Sequence, residues 1–343
     1  MPGDVLRRLV EAVRPSLGEA VEEAAAAAAE RLGGEAARLS ELAGRVLEEA
    51  LGRGLLRPVE PRGGAGPGYG VDGGLARLRR GSRVVAVLHA VAVGPGFERH
   101  VVRVLVLPAA GPEADAAVEA SLSLLEAAVL ASVPRGSLVF LDGPLADPPW
   151  VPPVGPLLEA AGEQLLGPGG GGALAGLHGA RAEAMRGLRV VGVVKRLTGE
   201  QMLSGLLGLP AGLGDDALAA ALAAGLRRRG LEPHIVGPVE QQGPVYEPYR
   251  ARLGGVWSAY VLDARGPRGY RVEAAGGPGA VVEAAGAALA SAVPPAWLPE
   301  EVLAAHRLAK PPVGLVRAAL RAAAAEAAGD EVAEAVYMLV GGD

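Results

Sequence analysis

Two β-branched runs, RVVAVLHAVAV (83–93) and HVVRVLVLP (100–108), are separated only by GPGFER. Runs of this kind form strands, and so short a Gly/Pro connection turns the second back antiparallel to the first. A shorter strand before them ends at Val71 and delivers Asp72. After them, PEADAAVEASLSLLEAAVLASV (112–133) has helical spacing, with acidic residues in its first turn where the helix dipole favours them. SLVFLD (137–142) reads as the next strand. The order strand, strand, strand, helix, strand predicts an α/β domain with a mixed central sheet flanked by helices.

The flanking segments differ in period. Residues 4–56 place apolar side chains at three- and four-residue spacing, interrupted at Pro15 and stopped by GRG. EPRGGAGPGYG (60–70) then separates this helical arm from the rest. The expected organisation is an arm over 1–60 for dimer or partner contacts, a domain over 65–310 and a closing helix over 311–343. Within the domain, GPGGGGALAG (167–176) reads as a flexible loop and LRVVGVVKR (188–196) as a buried strand ending in two bases. EPHIVGPV, WSAYVLDA and GYRVEAA are further strands, and GAVVEAAGAALASAV and LPEEVLAAHRLAK are helices, the last with Pro299 at its start.

Composition narrows the chemistry. The chain has no cysteine, so disulfides, thiolate zinc sites and thiol nucleophiles are excluded and any metal must be held by Asp, Glu or His. Half of the residues are hydrophobic but only 3% aromatic, so Ala, Val and Leu must fill the core. No window reaches the length of a membrane span and the N-terminal residues lack a signal-peptide pattern, which makes a cytoplasmic protein the default. A net charge of −5 argues against a lone nucleic-acid binder of high affinity. Two basic stretches, LARLRRGSR and LRRRG, read first as a solvated turn and a helix end.

Asp72 in YGVDGG and Asp142 in FLDGPL share a design: a carboxylate ending an apolar strand, followed by glycine. Two such strands side by side would bring like charges together, which is unfavourable unless a proton or a cation intervenes. A hard cation such as Mg²⁺ or Mn²⁺ suits an all-oxygen donor set. Glu119 and Glu126 are seven residues apart on one face of the intervening helix, and either could lean over the strand ends. Asp-Gly is also an ordinary turn dipeptide, so neither aspartate alone defines a site. Together with the hairpin and the helix glutamate between them, they follow the layout of the ribonuclease-H-like fold, whose acids bind two metals for phosphodiester hydrolysis.

VDGG (71–74), VFLDGPL (139–145), VVGVVKR within its strand and LPEEVLAAHRLAK (298–310) resemble, in this order, the successive motifs of the archaeal NurA nucleases. The resemblance implies a ribonuclease-H-like, Mn²⁺-dependent nuclease of single- and double-stranded DNA with 5′→3′ exonuclease activity. It implies a homodimer working with a hexameric HerA-type translocase on DNA ends in recombinational repair. Asp72 and Asp142 correspond to the metal aspartates, and Glu126, sixteen residues before Asp142, to the helix ligand, with Glu119 the fallback. Lys195 corresponds to the strand-end lysine that could meet the scissile phosphate. His306 corresponds to the histidine of the C-terminal helix.

The chain departs from the family before that helix. Trp297 and Leu298 stand where a tyrosine is expected, and SAVPPAW lacks the upstream acid. Tyr246 or Tyr249 could supply the hydroxyl, and Asp263 or Glu273 the carboxylate. Two alternatives remain open at this stage. One is a non-catalytic adaptor on the same fold, with the aspartates capping turns. The other is an actin-like kinase, which would need Gly-rich phosphate loops and ATP.

Overall fold

The computed structural model describes residues 41–311, except 43, 64–67, 81–82, 109–110, 151–154, 198–201, 210–213 and 267–268, with isolated positions outside that range. Most of the expected N-terminal arm and the expected helix over 311–343 therefore lie outside the described residues.

One nine-stranded sheet organises the domain, in the order β1-β7-β8-β9-β6-β5-β2-β3-β4. Its strands are β1 (Leu56–Pro58), β2 (Gly68–Arg80), β3 (Arg83–Gly94), β4 (Phe97–Leu107), β5 (Leu138–Leu141), β6 (Arg189–Val194), β7 (His234–Glu240), β8 (Val256–Leu262) and β9 (Tyr270–Ala275). The two β-branched runs form the expected antiparallel meander with β2, while β5 lies parallel to β2 and β6 parallel to β5. The remaining neighbours are antiparallel, so the sheet is mixed, as expected.

The parallel pairing requires a crossover, which α2 (Pro112–Ala131) provides. It rests on the sheet through Ala114, Ala117, Ala120 and Ser121, side chains small enough to let helix and sheet approach closely. The same face is covered further along by α3 (Pro156–Leu166), α4 (Leu177–Ala184) and α7 (Glu247–Leu253), and at the far end by α1 (44–52), α5 (Met202–Leu206) and α6 (Asp215–Arg228). The opposite face carries α8 (Pro278–Ala290) and α9 (Glu300–Ala309). Among the described residues, no helix is long and apolar enough to cross a membrane.

Several expectations need revision. Asp72 does not end a strand, because β2 runs for 13 residues and continues well past it. What ends there is the pairing with β5, whose last register pair is Val71 with Leu141. The described end of the N-terminal arm is part of the domain: Val46, Leu47 and Ala50 are buried against α5 and α6, and β1 pairs with β7. The glycine-rich stretch 167–176 is not a free loop. Its glycines let the backbone fold back on α3, so that a side chain on Gly162 would lie 2.4 Å from the Gly170 carbonyl oxygen, and a short 3₁₀ turn follows at Gly171–Ala173.

Candidate metal centre

The site begins with a register. Because Val71 pairs with Leu141, Asp72 and Asp142 are the next residues on two adjacent parallel strands, and the Asp142 N–H donates to the Val71 carbonyl at 3.0 Å. Strand residues alternate between faces. Asp72 therefore shares a face with Gly68, Gly70 and Gly74, the face on which α9 packs. Side chains at Gly70 and Gly74 would come within 1.9 Å of the Glu301 carbonyl oxygen and 1.8 Å of the Ala309 carbonyl oxygen, so the glycines of GYGVDGG let the α9 backbone lie directly on β2. That contact delivers His306, whose Nδ1 is 2.9 Å from Asp72 Oδ2 and 3.0 Å from Asp142 Oδ2. Lys195, one residue beyond β6, pairs with Asp142 Oδ2.

Glu126 comes from the other side of the sheet. Gly73 faces α2, and a side chain there would meet Glu126 Oε1 at 2.4 Å, so the missing side chain is the opening through which the glutamate reaches β2. Glu126 Oε2 accepts a hydrogen bond from Arg181 Nη1 at 2.8 Å. Glu119 is on the same helix stripe, but two turns separate it from Glu126, about 10 Å along the axis. It is half exposed and pairs with Arg77 at 3.2 Å, so of the two helix acids the structure brings Glu126 to the aspartates.

The electrostatics follow from this crowding. Burial first, then the charges of Asp142 and Glu126, push Asp72 up to about 9 from its usual 3.8. Glu126 rises to about 7, chiefly through burial, with Arg181 opposing the rise. Buried and close together, these carboxylates share the site only with a proton or a cation between them. One ligand atom from each of Asp72, Asp142 and His306 lies within 4.8 Å of the others. Two carboxylate oxygens and an imidazole nitrogen so placed fit a hard or borderline divalent cation.

The loop after Asp142 is held as firmly as the strand before it. Leu145 N–H donates to Glu273 at 2.9 Å, and the Leu145 carbonyl accepts from Tyr249 at 3.0 Å and Arg181 Nε at 3.2 Å. Gly192 of β6 leaves room for it, since a side chain there would meet the Gly143 carbonyl oxygen at 2.8 Å. Glu273 and Tyr249 are thus buried supports of this loop. Tyr246 is part of a turn packed on the core before α7. Asp263 is fully buried and bound by Arg265, 2.9 Å away. Trp297 stands at the turn before α9 with φ 52°, its ring 4.7 Å from the Arg265 guanidinium. Nothing in the local sequence marks Arg181. It sits on a short helix without strong periodicity, and its partners lie 36 and 55 residues away in sequence.

An antiparallel meander, a crossover helix and a parallel strand, with two aspartates meeting a histidine at the β2–β5 junction and a glutamate reaching β2 from the opposite face, define a ribonuclease-H-like α/β protein with a candidate metal centre. The sequence matches the NurA domain over residues 68–310, and the chain belongs to the NurA family. Solved structures share the fold. NurA bound to dAMP and manganese superposes with a TM-score of 0.58 at 13% identity, over 89% of this chain and 98% of that one. NurA with manganese gives 0.54 at 13% identity over 80% and 92%, and the NurA nuclease from Sulfolobus solfataricus gives 0.51 at 13% identity over 77% and 87%. No curated protein matches in sequence.

Proposed function

We propose that the chain is a metal-dependent DNA nuclease that hydrolyses phosphodiester bonds, with 5′→3′ exonuclease activity and endonuclease activity on single-stranded DNA. The observation that carries this reading is the convergence of Asp72, Asp142 and His306 ligand atoms within 4.8 Å, with Lys195 paired to the same cluster. Asp72, Asp142 and His306 would hold a divalent cation, Mn²⁺ or Mg²⁺, and Glu126 would serve a second position from the α2 side. Bound there, such cations supply Lewis acidity toward the phosphoryl group and ease ionisation of water. Lys195 adds a positive charge beside Asp142, where it can balance charge developing on the scissile phosphate. On the α2 side, the buried Arg181 guanidinium holds Glu126 in place. A relative solved with dAMP and manganese supports a nucleotide substrate and that cation. In this reading the protein acts as a homodimer with a hexameric HerA-type translocase, trimming DNA ends for recombinational repair.

The test is incubation with 5′-labelled and 3′-labelled DNA in Mn²⁺, Mg²⁺ or EDTA, beside Asp72→Ala. Cation-dependent loss of label that disappears in the variant supports the nuclease, and the label lost first reports polarity. An adaptor on the same fold is the second reading. It is favoured by the engagement of Tyr249, Asp263 and Glu273 in buried contacts, which leaves the family's tyrosine and upstream acid unreplaced. Absence of cleavage with every cation, with and without a translocase, supports the adaptor.

A further inference from the structure

Arg181 is 2% exposed and directs its guanidinium at two separate parts of the site. Nη1 donates to Glu126 Oε2 at 2.8 Å and to Ser123 Oγ at 2.8 Å, both on α2. Nε donates to the Leu145 carbonyl at 3.2 Å, and Nη2 approaches the Pro144 carbonyl at 3.5 Å, both in the loop that leaves Asp142. Glu126 and Asp142 belong to different elements, which Ser123 Oγ also joins by donating to the Asp147 carbonyl, but Arg181 is the side chain that reaches both Glu126 itself and the first residues after Asp142. A guanidinium is planar and offers five donors in a fixed fork, so it can set the distance and angle between two such elements, which a lysine ammonium cannot.

The division of Glu126 is the informative detail. Arg181 takes one carboxylate oxygen, and the other is turned toward Gly73, the residue after Asp72. A guanidinium that served only to balance charge would do so equally well on either oxygen or on both. Resting on the nuclease reading above, we propose that Arg181 is a positioning residue of the hydrolytic site, tying Glu126 and the Asp142 loop into one rigid unit so that the two cation positions keep a fixed geometry relative to each other. Tyr249 and Glu273 complete the hold on Leu145 without touching Glu126.

The experiment compares wild type, Arg181→Lys and Tyr249→Phe. Amide hydrogen exchange at 143–145 is read in metal-free protein, Mn²⁺ affinity by calorimetry, and kcat and KM on an oligonucleotide. Arg181→Lys keeps a charge for Glu126 but loses the fork. The expected result is faster exchange in the loop, Mn²⁺ affinity lower by about 10-fold to 100-fold, kcat lower by a similar factor, and an unchanged KM for DNA. Tyr249→Phe, which keeps the Arg181–Glu126 pair, should lower Mn²⁺ affinity and kcat only about 3-fold. Faster loop exchange with wild-type Mn²⁺ affinity and kcat would make Arg181 a structural residue only and overturn the proposal. Should Arg181→Lys fail to fold, wild-type kcat and affinity in Tyr249→Phe would overturn it as well. A wild-type protein that neither binds Mn²⁺ nor cuts DNA defeats the nuclease reading itself, and the positioning role falls with it; that outcome is read from the wild-type control alone.

Discussion

The two faces of β2 at the candidate centre are built on opposite plans. On the α9 face, the buried carboxylates of Asp72 and Asp142 meet two groups that reach solvent, His306, whose side chain is 50% exposed, and Lys195, which is partly open. On the α2 face, Glu126 and Arg181 are closed in by Ser123 and the loop after Asp142. The difference separates two tasks. Ligand exchange needs groups that solvent can reach and that lose little when a partner leaves. Fixed geometry needs groups whose partners cannot be replaced by water, since breaking a buried pair strands a charge. The open face should therefore govern binding and chemistry, and the closed face stability and alignment.

Substitutions should divide along this line. Asp142→Ala on the α9 face should reduce cleavage by about 10³-fold or more, consistent with several kcal/mol of transition-state stabilisation from a correctly held cation. Retained cleavage in this variant would remove Asp142 from the site. Arg181→Met on the closed face should cost about 3–5 kcal/mol of stability, measured by urea unfolding, because Glu126 is left buried without its cation. Replacing Glu126 by Gln in the same chain should recover part of that loss. If the double variant is no more stable than the single, the pair is not coupled as described.

Two adjacent glycines sharpen the comparison. Gly73→Ala presses on Glu126 Oε1 at 2.4 Å and on Leu122 at 3.0 Å, and Arg181 limits how far the glutamate can yield. It should cost about 1–3 kcal/mol through overpacking. Gly74→Ala presses on the α9 backbone instead and should displace His306, so its Mn²⁺ affinity should fall even where stability is recovered by a stabilising co-solvent. His306→Ala should shift stability by less than about 0.5 kcal/mol, as for other exposed positions, yet weaken Mn²⁺ binding.

pH offers a gentler probe. Asp72 binds its proton up to about 9 in the folded protein but only to about 4 when unfolded. Between those values the folded state holds more protons, so metal-free stability should fall as pH rises through the window and level off above it. Saturating Mn²⁺ should flatten the slope by displacing the proton. Asp72→Asn should flatten it without metal, and thermal melts from pH 5 to 9 would show either effect. A slope unchanged in Asp72→Asn would mean that Asp72 is not the group responsible.

What could be read in the sequence was what depends on local pattern. The β-branched runs at 83–93 and 100–108 had one plausible use, and the crossover helix and β5 followed from their spacing. Asp72 and Asp142 stood out because each is a carboxylate closing an apolar run before glycine. Spacing does not separate Glu126 from Glu119, since both lie on one helix stripe; their tertiary partners do, Arg77 for Glu119 and Arg181 with Gly73 for Glu126. The end of β2 was misplaced because LARLRR lacks the apolar density of a buried strand, although its backbone keeps pairing with β3. Helices α3 and α4 carry a weak helical pattern, because Gly162 and Gly179 interrupt them. The meaning of Gly73 and Gly74 depended on which helix packs on which face, which is a tertiary fact.

The central claim is that Asp72, Asp142 and His306 form a divalent-cation site. Anomalous diffraction from crystals equilibrated with Mn²⁺ tests it most directly. A peak bounded by the Asp72 and Asp142 carboxylates and His306 Nδ1, absent in Asp72→Asn, is the predicted result. Density there explained only by the Lys195 and His306 side chains, with Mn²⁺ bound elsewhere or not at all, would contradict it.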